Sequence, residues 1–159
     1  MSLRVGFGYD IHQCAPGRPL VLGGVRFPTD WGLEGHSDAD VLSHAIGDAL
    51  LGAGALGDLG VHFPPGDPRW KDISSIELLR LIRSLLTGID AQIVNVDATL
   101  IAEQPKLAPV RDEIRGNIAR ALQISDARVS VKATTNETIG AIGRREGLAA
   151  MAVAMVEIP

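Results

Sequence analysis

Residues 34–60, EGHSDADVLSHAIGDALLGAGALGDLG, constrain the fold most, because they predict a helix of small residues that also carries ionisable groups. Two histidines and four aspartates interrupt a run that is otherwise rich in Ala, Gly and Leu. Residues typical of helix caps come first and apolar residues follow at helical spacing, so we predict a helix over about residues 39–53. The small side chains allow another element to pack closely against this helix.

The rest of the chain predicts strands around two more helices. Residues 147–158 fit either a helix or a strand, and a short apolar run after a glycine favours the strand. The predicted elements are strands at 3–14, 91–102, 127–135 and 147–158, a hairpin around Gly23 and Gly24, helices at 72–88 and 106–124, and a long loop at 54–70. This order favours an α+β fold, a single-domain sandwich over residues 1–159 in which helices lie on one face of a mixed β-sheet.

Length and composition exclude several classes of protein. A chain of 159 residues suits one domain with one core. The formal net charge of −4 includes no long run of either sign, so we expect no nucleic-acid partner. The longest apolar run, LAAMAVAMV, is too short to span a bilayer, so no membrane partner is expected. Cys14 is the only cysteine and the first ten residues lack a signal-peptide pattern, so we expect a cytoplasmic protein without an intrachain disulfide.

Asp10 and His12 alternate on the first predicted strand, where residues i and i+2 point to the same side. A carboxylate and an imidazole arranged in this way supply two of the three protein ligands of an open zinc site, although a polar strand end has the same pattern. His44 lies on the predicted helix, one turn after Asp40 and one turn before Asp48, where an aspartate could orient its ring. The alternative for this helix is a solvated polar face.

Two segments offer groups that bind phosphate. His36 and Ser37 precede the predicted helix, and a helix N-terminus attracts anions, although Ser37 or Asp38 would also serve as a plain helix cap. In VKATTNETIGAIGRREG (residues 131–147), the alternatives are a polar hairpin and a diphosphate cradle. The cradle would use one ammonium, two hydroxyls and one guanidinium, from Lys132, Thr134, Thr135 and Arg144.

Familiar nucleotide and hydrolase signatures are absent. No segment matches the phosphate loop G-x-x-x-x-G-K-[ST], and GFGYDI has Ile11 where a dinucleotide fingerprint requires its third glycine. No strand-turn-helix serine motif of a hydrolase is visible. The phosphate-binding groups therefore do not belong to any of these three classes.

Four motifs together resemble one enzyme family over nearly the whole chain: GFGYDIH, LEGHSDADVLSHAIGDALLGAGALGDLGVHFP, VDATLIAEQPKLAP and VKATTNETIGAIGRREG. The family is that of the 2-C-methyl-D-erythritol 2,4-cyclodiphosphate synthases of the non-mevalonate isoprenoid pathway. The resemblance implies a lyase that cyclises 4-diphosphocytidyl-2-C-methyl-D-erythritol 2-phosphate and releases CMP. It also implies a homotrimer with three active sites, each between neighbouring subunits.

The resemblance further implies a set of metal ions and site residues. Zinc would be held by Asp10, His12 and His44, with a substrate phosphate as fourth ligand, and a second cation, Mg²⁺ or Mn²⁺, would bridge the two phosphates. His36 and Thr135 would stabilise the transition state, and residues 102–108 would form the cytosine pocket. The residues implied in substrate binding are Ser37, Asp58, Gly60, Phe63, Asp67, Ala102, Pro105, Lys106, Leu107, Ala108, Lys132, Thr134, Glu137, Ala141 and Arg144.

The chain departs from the family pattern at three places. Many members have an acid where Pro65 stands, an aromatic residue where Ala141 stands, and GRGEG where this chain has GRREG at residues 143–147. The last two departures concern a cavity on the trimer axis that would bind isoprenoid diphosphates, and Ala141 leaves that cavity wider and less aromatic. Two other functions would use similar groups: a metal-dependent phosphohydrolase and a non-catalytic trimeric binder of isoprenoid diphosphates.

Overall fold

The computed structural model describes residues 1–159 as a five-stranded sheet, a separate two-stranded hairpin and a layer of helices. The elements, in chain order, are β1 (Ser2–Pro16), β2 (Leu20–Leu22), β3 (Val25–Phe27), β4 (Trp31–Leu33), α1 (Val41–Ala53), α2 (Leu59–His62), α3 (Ser75–Thr87), β5 (Gln92–Ile101), α4 (Arg111–Leu122), β6 (Val129–Thr134), α5 (Gly140–Gly143) and β7 (Gly147–Ile158).

The large sheet has the order β4-β1-β7-β5-β6. Strand β1 pairs antiparallel with β4 and β7, β5 pairs antiparallel with β7, and β5 pairs parallel with β6. The sheet is therefore mixed, and the predicted α+β class is confirmed. Residues 147–158, for which the sequence fitted either a helix or a strand, form the central strand β7.

Several short elements were not predicted, among them β4, α2 and a 3₁₀ turn. Strand β4 has only three residues, too few for a periodicity, and pairs with a distant part of β1. The loop at 54–70 contains α2, where the Asp58 carboxylate accepts the backbone N–H of Val61, and a 3₁₀ turn at Pro68–Trp70. The segment predicted as one long loop therefore contains two short helical turns, which Asp58 and Asp67 cap.

Strand β1 has two faces of opposite character, as the period of two in a strand requires. Its even-numbered residues Gly6 and Gly8 are buried under α1, and Asp10 and His12 continue along that face. The odd-numbered residues point away from the helices and are 47–62% exposed: Leu3, Val5, Phe7, Tyr9 and Ile11. Met151 and Val153 of β7 extend this apolar stripe, which we call the outer stripe.

Helix α1 packs unusually close to the sheet because β1 has glycines beneath it. A Cβ atom on Gly6 would lie 1.9 Å from the carbonyl oxygen of Ala49, and one on Gly8 would lie 1.9 Å from that of Ala45. Only hydrogen atoms fit in these gaps, so the helix backbone lies directly on the strand. This contact explains the Gly-x-Gly of GFGYD, and it brings His44 of α1 next to Asp10 of β1.

The core lies between the sheet and the helices. Leu42, Ile46 and Leu50 of α1 are fully buried, together with Leu79 and Ile82 of α3. Helix α1 also packs against β7, while α3 packs between α1 and α4. None of the helices has the length and hydropathy that a bilayer crossing requires.

Candidate metal and phosphate site

Three ligand atoms, one each from Asp10, His12 and His44, form a small triangle between β1 and α1. Asp10 and His12 follow Gly8 in β1, and Gly8 contacts α1. Oδ2 of Asp10 lies 2.8 Å from Nε2 of His12 and 3.0 Å from Nδ1 of His44, and the two nitrogens are 3.2 Å apart. Ligand bonds of about 2.0–2.2 Å around a tetrahedral zinc ion place the ligand atoms roughly 3.3 Å apart. The structure thus brings the three predicted ligands together in a geometry that fits a divalent metal ion.

The second nitrogen of each ring has its own partner. Nδ1 of His12 contacts the carbonyl oxygen of Glu34, which can only accept, so this nitrogen carries a hydrogen and the neutral ring has its lone pair on Nε2. Nε2 of His44 lies 2.8 Å from the hydroxyl of Ser75 and 3.1 Å from that of Ser37. Partners of this kind hold metal-binding histidines in one tautomer and one orientation.

The carboxylate of Asp10 and the imidazoles of His12 and His44 shift the pKa values of Asp10 and His12 in opposite directions. Burial opposes ionisation of Asp10, but the hydrogen bonds and charges of His12 and His44 outweigh it and lower the pKa of this carboxyl to about 2. Burial lowers the pKa of His12, while the hydrogen bond and charge of Asp10 raise it more, so the pKa lies above 6.5. A cation at the site competes with the proton on His12, so its binding strengthens as the pH rises.

A cavity of about 300 Å³ opens beside the triangle. Four of the predicted phosphate- and substrate-binding residues line it together with the metal triangle: His36, Ser37, Gly60 and Phe63. The backbone carbonyl of Asp67 lies 3.2 Å from Nε2 of His36, so the 3₁₀ turn that this aspartate caps also contacts the site. We call the set Asp10, His12, His36, Ser37 and His44 the metal half of the site.

The acids around His44 hold neighbouring segments and do not form a solvated face. Asp40 is fully buried, and its carboxylate accepts the backbone N–H groups of Gly23, Gly24 and Ser43 as well as the Ser43 hydroxyl. Asp48 accepts the backbone N–H of Leu59 at 2.8 Å. Burial raises the pKa of both carboxyls, and nearby acids add to the effect. Asp40 therefore caps α1, and Asp48 attaches α2.

The other predicted residues lie elsewhere. Residues 132–141 are all exposed, and none of the residues from 102–108 or 132–144 lines the cavity of the metal half. The Lys132 ammonium is 2.6 Å from a carboxylate oxygen of Asp97, and Nε of Arg144 donates to Glu146 at 2.6 Å. Segments 102–108 and 132–144 form a second group that we call the nucleotide half.

Glu103 organises the nucleotide half, a role that the sequence did not predict for this member of segment 102–108. Its Oε1 accepts the backbone N–H groups of Asn136 and Thr138, at 3.1 and 3.0 Å. Glu137 and Thr138 have φ values of 51° and 60°, a region that costs energy for residues with a side chain. The two hydrogen bonds thus hold a strained turn next to Thr135. Only the long-range contact between residues 103 and 138 reveals this role.

Thr134 of the nucleotide half lies at the far end of a row of paired strand residues that begins at β1. Ile11 of β1 pairs with Ala149, Ala149 with Ile101, and Ile101 with Thr134 of β6. Three strand spacings separate the ends of this row, a distance of roughly 14 Å. Lys132 alternates with the buried Val131 and is exposed on the outer face of the sheet, whereas Asp10 and His12 lie on the helix face. Within one chain Lys132 is therefore turned away from the triangle, whereas Ala141 and Ile142 line a second cavity together with His12.

Fold and site together define a class, an α+β domain in which a three-ligand metal site adjoins phosphate-binding groups. A model of the YgbB family matches residues 3–157. The 2-C-methyl-D-erythritol 2,4-cyclodiphosphate synthase of Salinibacter ruber is 57% identical over 155 residues, covering 98% of this chain and 99% of the relative. That of Symbiobacterium thermophilum is 55% identical over 152 residues, covering 96% and 97%.

A solved structure described as the CDP complex of IspF from Plasmodium falciparum has the same fold. Its TM-score is 0.86 at 35% sequence identity, and the match covers 99% of this chain and 97% of that one. The chain therefore belongs to the YgbB family, the family of the 2-C-methyl-D-erythritol 2,4-cyclodiphosphate synthases.

Proposed function

We propose that the chain converts 4-diphosphocytidyl-2-C-methyl-D-erythritol 2-phosphate into 2-C-methyl-D-erythritol 2,4-cyclodiphosphate and CMP. An oxygen of the 2-phosphate attacks the β-phosphorus, a new P–O bond closes the ring, and the bond to the CMP phosphate breaks. The observation that carries the proposal is the triangle of Asp10, His12 and His44 beside His36 and Ser37, in a chain of this family.

The nucleophile belongs to the substrate, so the chain needs no nucleophile of its own. Its residues must hold two repelling phosphates together and stabilise the charge that moves between them. His36 and Ser37 line the cavity, where the imidazole and the hydroxyl would donate hydrogen bonds to phosphate oxygens. Thr135 would add a hydroxyl from the nucleotide half, and His36 and Thr135 together would stabilise the transition state.

The donor set fits zinc, because two imidazoles and one carboxylate leave a fourth position for a substrate oxygen. A zinc ion held there would act as a Lewis acid on a phosphate oxygen. Glu137 is exposed, and its backbone N–H donates to the hydroxyl of Thr135. Its carboxylate would hold a second cation, Mg²⁺ or Mn²⁺, which would neutralise charge on the two phosphates. Thr134, Lys132 and Arg144 would complete the diphosphate end.

The segment 102–108 would hold the cytosine. Ala102 and Leu107 of this segment are buried, and the recognition would come largely from backbone groups. Pro105, Lys106 and Ala108 complete this pocket, while Asp58, Gly60, Phe63 and Asp67 would surround the methylerythritol part. The solved relative named as a CDP complex supports a cytidine nucleotide as the ligand.

The chain would act as a homotrimer of single-domain subunits in which the metal half of one subunit meets the nucleotide half of the next. Two observations support this assembly. Thr134 lies about 14 Å from Ile11, three strand spacings away, and Lys132 is on the face of the sheet opposite to Asp10 and His12. The outer stripe exposes five large apolar side chains of β1, an apolar surface of a size that marks an interface. The cytoplasmic location and the axial cavity near Ala141 stay predictions.

Product analysis tests the reaction. The purified protein, loaded with zinc and magnesium, is incubated with the cytidyl substrate, and the products are followed by ³¹P NMR and nucleotide chromatography. We expect equal amounts of CMP and a cyclic diphosphate. CMP with an open-chain 2,4-bisphosphate would instead indicate a phosphohydrolase, and no CMP at all would indicate a binding protein.

Mixed trimers test the shared site. His44→Ala subunits lack a metal ligand and Thr135→Ala subunits lack the hydroxyl, so each variant alone should be nearly inactive. If the halves come from different subunits, refolding an equal mixture should restore roughly a quarter of the wild-type activity, because each site samples both subunit types independently. Activity that stays at the level of the separate variants would place both halves in one subunit. Each variant refolded alone is the control.

A further inference from the structure

Ser75 lies at the start of α3 and is 1% exposed, yet its hydroxyl lies beside a predicted metal ligand. Its Oγ is 2.8 Å from Nε2 of His44, the ring nitrogen that faces away from Asp10 and His12. Ser75 is far from His44 in the sequence, and no cap pattern or family motif of the chain points to this contact.

The direction of the hydrogen bond follows from Asp38. One oxygen of the Asp38 carboxylate contacts the Ser75 hydroxyl, and the other accepts the backbone N–H of Ser75 at 2.9 Å. A carboxylate only accepts hydrogen bonds, so the hydroxyl hydrogen of Ser75 points to Asp38. The lone pairs of Oγ are left for Nε2 of His44, so this contact is a hydrogen bond only when Nε2 carries the ring hydrogen.

The tautomer of His44 decides whether it can bind a metal ion. A neutral imidazole with its hydrogen on Nε2 has a free lone pair on Nδ1, and Nδ1 is the atom that lies 3.0 Å from Asp10 and 3.2 Å from His12. The opposite tautomer would point an N–H at the Asp10 carboxylate and could not bind a cation there.

We propose that Ser75 and Asp38 are positioning residues that hold His44 in the metal-binding tautomer and orientation. The inference rests on the proposed function, because it takes Asp10, His12 and His44 as the metal site. It also assigns a role to Asp38, which connects the beginning of α1 with the beginning of α3.

Ser37 is the other hydroxyl near Nε2 of His44, at 3.1 Å. Its Oγ also accepts the backbone N–H of Ala39, and its own hydrogen has no carboxylate partner. Ser37 is only partly buried and lines the cavity, where its hydroxyl is free to turn toward a phosphate. The fixed acceptor for His44 is therefore Ser75, which is closer, buried and held by Asp38.

A purely structural role for the pair makes different predictions. Ser74, the N-cap residue of α3, makes no capping hydrogen bond through its side chain, and Asp38 supplies the acceptor for the first turn through the N–H of Ser75. In Ser75→Ala this backbone contact persists, so α3 keeps its cap. If the hydroxyl only stabilised the fold, its loss would change the melting temperature and not the metal affinity.

The test uses zinc titration of the metal-free full-length chain against a chelator of known affinity. Ser75→Ala should weaken zinc binding roughly 10–100-fold, the range found when partners of metal-binding histidines are removed. Ser74→Ala, the matched control at an exposed serine next to it, should bind zinc like the wild type. Wild-type affinity in Ser75→Ala would overturn the proposal.

A second measurement needs no variant. In the metal-free wild type at alkaline pH, the ¹⁵N shifts of the His44 ring report which nitrogen carries the hydrogen, and we expect Nε2. A hydrogen on Nδ1 would overturn the proposal even where Ser75→Ala does not fold. His44→Ala tests the proposed function separately from the role of Ser75. Loss of tight zinc binding in this variant supports the metal site, and unchanged binding contradicts the proposed function itself.

Discussion

The metal half and the nucleotide half of the site are built in opposite ways. In the metal half, each side chain sits between packed elements and has a second partner, such as Glu34 for His12 or Ser75 for His44. In the nucleotide half, residues 132–141 are all exposed, and Lys132 and Arg144 pair with acids of their own surface. The first is organised by packed elements of one chain, whereas the second is an exposed turn with contacts to surface acids.

This difference gives the two halves different sensitivities to substitution. A change in the metal half disturbs the packing of α1 against the sheet, and stability and metal affinity should fall together. A change in the nucleotide half alters a surface turn, and catalysis should fall while folding and metal affinity persist. The following substitutions are ordered by the size of the expected effect.

Gly8→Ala should have the largest effect. The new Cβ would lie 1.9 Å from the carbonyl oxygen of Ala45 and 2.8 Å from the backbone nitrogen of Ala49, so no rotamer relieves the overlap. We expect a loss of several kcal/mol in the free energy of unfolding, above the roughly 1–3 kcal/mol typical of overpacking, because backbone must move. Zinc affinity should fall with it, since α1 carries His44.

Urea unfolding and zinc titration measure the two quantities, and Gly52→Ala is the matched control. Gly52 is an exposed glycine of α1 whose Cβ would meet nothing closer than 3.9 Å. Alanine there should raise the free energy of unfolding by about 1 kcal/mol, the difference in helix propensity. If Gly8→Ala were as stable as the wild type, the contact between α1 and β1 would not be as close as described.

Much of the metal half could be predicted from the sequence. The alternation of Asp10 and His12 predicted a shared face, and helical spacing predicted α1 within two residues of its true start at Val41. The support for His44 could not be predicted in the same way. Ser75 lies 31 residues away, and its contact depends on how α3 packs against α1. Local patterns also suggested Asp40 as a partner for His44, whereas Asp40 caps the helix.

Glu103→Ala should have an intermediate effect, confined to the nucleotide half. The substitution removes the acceptor for the N–H groups of Asn136 and Thr138, and the strained turn at 137–138 then loses its support. We expect kcat/KM to fall roughly tenfold, which corresponds to about 1.4 kcal/mol, the net value of one or two such hydrogen bonds. Zinc affinity and the free energy of unfolding should change little.

Glu103→Gln is the informative companion, because its side-chain carbonyl oxygen can accept the same N–H groups without the charge. It should retain most of the kcat/KM lost in the alanine variant. A fall in zinc affinity in either variant would contradict the separation of the two halves within one chain. The role of Glu103 lay outside any prediction from the sequence, since it joins two loops that meet only in the folded sheet.

Asp97→Asn should have the smallest effect. The hydrogen bond and charge of Lys132 lower the pKa of Asp97 below its ordinary value of 3.8, against a small opposing effect of burial. A carboxyl with a lowered pKa stabilises the fold above its unfolded pKa, and this contribution disappears as the pH falls through the folded value. The pair is exposed, so the free energy of unfolding of the wild type should exceed that of the variant by less than about 1 kcal/mol at neutral pH.

Urea unfolding of both proteins at pH values above and below 3.8 measures the difference, which should vanish in acid. A difference that persisted in acid would mean that Asp97 acts through packing and not through its charge. In Asp97→Asn the Lys132 ammonium loses its charged partner. We expect no change in the zinc affinity of the metal half.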